Sequence, residues 1–86
     1  MKYQPIDCAL HDYLEIACSN KLEIEIVQDD GSIIKGKAMN VYSKDQAEWM
    51  LLEPQGLPGS PIRLDRICSI KALTINPYFE LLELKR

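Results

Sequence analysis

The residues best suited to chemistry lie close together near the start of the chain. His11, Asp12 and Glu15 follow one another closely, and Cys8 and Cys18 bracket them. Two carboxylates beside an imidazole are the ingredients of general acid–base catalysis. Their spacing argues against that use. Residues three apart share a face of a helix, so Asp12 and Glu15 stand together in water and stay solvated. His11 is the one histidine, and no second ligand is placed to form a metal site with it. Cys8 and Cys18 are separated by roughly 15 Å along a helix axis, beyond disulfide reach. Cys68 stands alone, and an odd count without a C-x-x-C pair fits neither a zinc site nor a disulfide framework. The three cysteines read as small buried thiols. Neither a G-x-S-x-G elbow nor a Walker or G-x-G-x-x-G loop occurs. The chain is read as a non-enzyme, with no cofactor and no metal.

The element that must position these residues is an amphipathic helix in the stretch YQPIDCALHDYLEIAC, expected over residues 8–19. Asp7 can cap its free N–H groups, and Pro5 is tolerated just upstream. Leu10, Tyr13, Leu14 and Ala17 recur at helical spacing as one apolar stripe. Asp12 and Glu15 take another face, with His11 nearby.

After Asn20 the pattern alternates. Leu22, Ile24 and Ile26 interleave with Glu23 and Glu25 as a half-buried strand, and Asp30-Gly31 signals a tight hairpin turn. A second strand carries Ile34, Gly36 and Ala38, whose small residues permit close backbone approach. Residues 40–46 read as the end of that strand and a polar turn. A third strand covers Trp49 to Leu52, and a Pro/Gly loop covers 54–60. Ile62, Leu64, Ile67 and Ile70 read as one fourth strand with a bulge near Asp65-Arg66. Asn76-Pro77 interrupts the chain, and the stretch from Tyr78 to Leu84 is taken as a strand rather than a helix.

Four or five short strands behind one helix hide their edges best by bending toward a barrel. A helix ahead of the strands is the Sm-like rather than the OB order. The expected fold is mainly β: a small, Sm-like, partly open barrel with an N-terminal α-helix, as a single domain over residues 1–86. Leu10, Leu14, Ile24, Ile26, Ile34, Trp49, Leu51, Leu64 and Ile67 are expected to be buried.

A hydrophobic fraction of 47% suits a small globular core. No apolar run approaches the roughly 20 residues of a membrane span, and MKYQPID lacks the apolar core of a signal peptide. A cytoplasmic, monomeric protein is expected. The net charge of −3 is uneven. Residues 1–30 hold seven acids against two lysines, a balance of −5, and the remainder holds six acids against eight bases, a balance of +2. Phosphate neutralisation needs clustered Lys and Arg, so the acidic front suits a basic protein partner better than nucleic acid.

YQPIDC followed by HDYLEIAC resembles the start of the Rho-binding antiterminator (Rof) family. Asp30-Gly31, Lys37-Ala38, Glu48-Trp49, Leu51-Leu52-Glu53 and IRLDRICSI at 62–70 extend the resemblance over nearly the whole chain. The resemblance implies an inhibitor of Rho-dependent transcription termination. It would bind the N-terminal RNA-binding domain of the termination factor Rho and block RNA access to the primary site. By the same resemblance Asp12 and Glu15 match acidic helix positions, while Cys8, Leu14, Ala17 and Cys18 match structural ones. The family pattern has an aromatic where His11 stands; here Tyr13 follows two residues later. It also has basic residues in the turn that here reads Lys44-Asp45-Gln46, of which only Lys44 matches. The implied partner-binding set is His11, Asp12, Tyr13, Glu15 and Lys44.

A second function class, a direct Sm-like RNA-binding module, requires a basic, aromatic-lined face. Lys35, Lys37, Arg63 and Arg66 are too few and too interrupted to supply one.

Overall fold

The structure is a computed structural model that describes the backbone of residues 8–84 and the side chains from Leu10 onward. Helix α1 spans Cys8–Ser19, the span the periodicity predicts. The expected cap, Asp7, lies outside the described residues. Leu14, Ala17 and Cys18 point into the core, and Leu10 packs against its margin, half-buried rather than buried. The helix ends in a pair of reverse bonds: the Lys21 N–H donates to the Cys18 carbonyl (3.1 Å) and the Leu22 N–H to the Ala17 carbonyl (2.9 Å). This is the Schellman arrangement, with Lys21 in the left-handed position at φ 50°.

Six strands follow, one or two more than expected: β1 (Glu23–Gln28), β2 (Ile33–Lys44), β3 (Ala47–Glu53), β4 (Ser60–Arg63), β5 (Ile67–Ala72) and β6 (Leu81–Glu83). They form one antiparallel sheet in the order β4-β3-β2-β1-β5-β6. The sheet bends without closing, since β4 and β6 remain its two edges. The fold is therefore mainly β, with one helix on a small open barrel-like sheet.

The β1–β2 turn follows the Asp-Gly signal. The Gly31 N–H donates to the Gln28 carbonyl (3.0 Å), and the Gln28 N–H to the Ser32 carbonyl (2.8 Å). Gly31 has φ 88°, a conformation that costs glycine little. Hydrogen bonding from Ser32, its side chain first and its backbone N–H second, holds the Asp30 carboxyl below the usual range.

Strand β2 runs further than expected. Residues 40–44 continue it to Lys44 because Val41 and Tyr42 suit a pleated, half-buried surface and pair with Met50 and Trp49. A register shift between Ala38 and Asn40 lets one long strand pair with β1 in its first half and β3 in its second. Gly36 has a stereochemical reason: a Cβ there would lie 2.8 Å from the Glu53 carbonyl oxygen.

The expected fourth strand is two strands. Leu64–Arg66 forms a 3-10 turn between β4, which pairs with β3, and β5, which pairs with β1. The broken alternation between Leu64 and Ile67 marks this crossing, not a bulge. The C-terminal strand is only Leu81–Glu83. Ahead of it the Asn76 side chain makes a turn: its Oδ1 accepts the N–H groups of Tyr78 (2.9 Å) and Phe79 (3.1 Å).

The core joins Leu14, Ala17 and Cys18 to Ile24, Ile26, Met50, Leu52, Leu64, Ile67 and Ile70. Ile34 only borders it. The expectation for β3 has the wrong parity. Met50 and Leu52 are fully buried, whereas Trp49 and Leu51 lie half-buried on the opposite face. A run apolar on both sides carries no alternation from which to choose the inner face. Among the described residues, no helix is long and apolar enough to cross a membrane.

Candidate partner-binding surface

Helix α1 presents three different surfaces outside its buried stripe. Asp12 points to solvent and, among the described residues, makes no hydrogen bond or ion pair. On one flank His11 reaches two carboxylates: its Nδ1 lies 3.2 Å from Glu15 Oε1, and its Nε2 lies 2.8 Å from Glu48 Oε2. Glu15 is one turn along the same helix, whereas Glu48 belongs to β3. Glu15 is 61% exposed and Glu48 only 18%. On the other flank Tyr13 meets Phe79 edge to face, with centroids 6.1 Å apart.

The five expected partner-binding residues thus separate. His11 and Glu15 are joined directly. Asp12 is adjacent in the chain but turned outward. Tyr13, half-exposed, faces the C-terminal segment instead. Lys44 is exposed at the end of β2, not in the turn itself, and pairs with Ala47 beside the Ser43–Glu48 pair. Through Glu48, His11 therefore links the helix to the hairpin that carries Lys44. Glu48 is a contact of His11 that the sequence does not announce. Thirty-seven positions separate it from His11, and no local pattern connects the two.

The hairpin tip is conformationally expensive. Asp45 (φ 52°) and Gln46 (φ 61°) are both left-handed, in a two-residue turn between Lys44 and Ala47. Such turns favour Asn-Gly, so the usual signal is absent here. The Trp49 indole N–H donates to the Lys44 carbonyl (3.0 Å) and braces the tip.

On the outer face of the sheet Tyr42, Trp49 and Arg63 are opposed across β2, β3 and β4. The Arg63 guanidinium lies 6.0 Å from the Trp49 ring centroid. Asp65 engages it twice, at 3.0 Å from Nε and 2.8 Å from Nη2. That local neutralisation suits a structural clamp better than a phosphate contact.

Cys18 carries little reactivity, and Cys68 is half-buried rather than buried. Burial first, and the nearby Glu15 charge second, push the Cys18 thiol up to about 11, which keeps it protonated near neutrality. Cys18 and Cys68 are both free thiols; the Cys8 side chain lies outside the described residues. No group of three His, Cys, Asp or Glu among the described residues could hold a metal ion. A recess of about 250 Å³ at the β5–β6 connection is lined by Leu73, Ile75, Asn76 and Phe79 among others.

Comparison with known proteins agrees with this architecture. The family described as "Modulator of Rho-dependent transcription termination (ROF)" matches residues 5–84. The chain is 36% identical over 67 residues to the protein rof of Escherichia coli (strain K12), across 78% of this chain and 79% of that relative. The Shigella flexneri protein rof matches to the same extent. The solved structure of YaeO bound to magnesium from Vibrio cholerae O395 superposes with a TM-score of 0.78 at 25% identity. That match covers 86% of this chain and 96% of the other. The chain, matched by the family over nearly its whole length, belongs to the ROF family of modulators of Rho-dependent transcription termination.

Proposed function

We propose that this protein inhibits Rho-dependent termination by binding the N-terminal domain of Rho and keeping transcript RNA off its primary site. The observation that carries the reading is the exposed acidic face of α1, with Asp12 and Glu15 both in solvent. A groove that binds RNA is basic, so a carboxylate-bearing helix can compete for it by charge and shape, without chemistry. Lys44 stands at the near end of the β2–β3 hairpin, and Tyr13 supplies an amphipathic ring on the helix flank; both border the contact.

The test is a termination assay with Rho and a transcript carrying a Rho-dependent site. Wild type raises read-through, and the double variant D12K/E15K does not. Replacing attraction by like-charge contact weakens binding by several kcal/mol, while two exposed changes leave stability within about 0.5 kcal/mol. Inhibition by wild type also weakens as salt rises. If D12K/E15K inhibits as well as wild type, the acidic face is only a solvated lid. Direct RNA binding is the competing reading. The purified protein should retain no single-stranded oligonucleotide on a filter at moderate salt; tight, salt-sensitive retention would reverse the assignment.

A further inference from the structure

We infer that His11 is a positioning residue, and that with Glu48 it forms the tether that holds the acidic face of α1 in place over the β2–β3 hairpin. The inference rests on the proposed docking of that face. Glu15 is 61% exposed, and its long side chain has several rotamers in solvent. His11 removes that freedom by holding Glu15 Oε1 at 3.2 Å.

The second contact matters more. His11 Nε2 meets Glu48 Oε2 at 2.8 Å, and this bond crosses from the helix to β3. It lies outside the apolar packing of Leu14, Ala17 and Cys18, so it acts on the azimuth of the helix rather than on whether the helix docks at all. Glu48 is too enclosed, at 18% exposure, to be the main charge a partner meets. His11 is itself 27% exposed. An imidazole donates from both nitrogens only as an imidazolium, and from one when neutral. A glutamine at position 48 can serve either form, because its amide offers both a donor and an acceptor.

That property supplies the experiment. We compare E48Q, E48A, H11A and the double variant H11A/E48A in the termination assay, at concentrations corrected for folded protein. E48A and H11A should each raise the concentration needed for half-inhibition about tenfold, the factor that corresponds to about 1.4 kcal/mol. The double variant should be no worse than either single one, since both remove one tether. E48Q should inhibit like wild type. Amide hydrogen exchange of residues 8–19 gives a readout independent of Rho: E48A should exchange several-fold faster than wild type, and E48Q should not.

Equal loss in E48Q and E48A would mean that Glu48 meets the partner as a charge, and would overturn the tether. Unchanged inhibition and unchanged exchange in E48A would overturn it as well. If wild type fails to inhibit Rho but E48A still speeds exchange in α1, the proposed function falls and the tether stands.

Discussion

The two hairpins of this sheet are built on opposite terms. The first, β1–β2, contributes to the core. Ile24 and Ile26 are wholly buried, Gly36 is pressed against the Glu53 carbonyl, and the turn uses Asp30 and Gly31. The second, β2–β3, projects to a tip where Asp45 and Gln46 sit left-handed without a glycine, beside Lys44 and below the His11–Glu48 bond. Local preference and tertiary demand agree in the first hairpin. In the second, local preference is overridden, and of the residues proposed to meet Rho, Lys44 stands at that tip. Strain held by surrounding contacts at a functional surface is a recurrent pattern.

The largest expected effect tests the close approach of β2 to β3 at Gly36. Gly36→Ala places a methyl where the Glu53 carbonyl oxygen already stands at 2.8 Å. The strand must shift, and urea unfolding should show a loss of about 2–3 kcal/mol. Inhibition per folded molecule should not change. A loss under about 0.5 kcal/mol would show that the two strands yield at this contact.

Next comes the buried face of the helix. The folded Cys18 thiol titrates at about 11, against 9.0 for an ordinary thiol. Below pH 9 both folded and unfolded thiols are protonated, and the contribution to stability is complete. Between about pH 9 and pH 11 the unfolded thiol ionises first, so stability falls as pH rises, by about 1–3 kcal/mol. The pH profile of Cys18→Ala should be flatter in that window. Parallel profiles for the two proteins would mean that Cys18 is solvated when folded.

The smallest pair of effects contrasts the turns directly. Gly31→Ala should destabilise by about 1 kcal/mol, because φ 88° is adverse for a side chain. Gln46→Gly should stabilise by about 1 kcal/mol, because φ 61° then costs nothing. Thermal melts of both variants settle the sign. If Gln46→Gly gains stability yet inhibits Rho less well, the strained tip is part of the docking surface. If it loses stability, the tip is not strained and the contrast between the hairpins fails.

What the sequence determined by itself were the features set by neighbours along the chain. The apolar spacing of Leu10, Tyr13, Leu14 and Ala17 made the helix, Asp30-Gly31 made the first turn, and alternation through Ile24 and Ile26 chose the inner face of β1. The motif pattern from YQPI to RLDRI was sufficient to place the family. The tertiary structure decided what depends on contacts far apart in sequence. It chose Met50 and Leu52 over Trp49 and Leu51 for the core, because an unbroken apolar run has no period. It extended β2 to Lys44 by pairing it with β3, and it split the expected fourth strand so that β4 and β5 could serve opposite sides of one sheet. It also brought Glu48 to His11. A contact of 2.8 Å between residues on different elements is set by how a helix lies on a sheet, and neither residue's own neighbours in the chain carry that information.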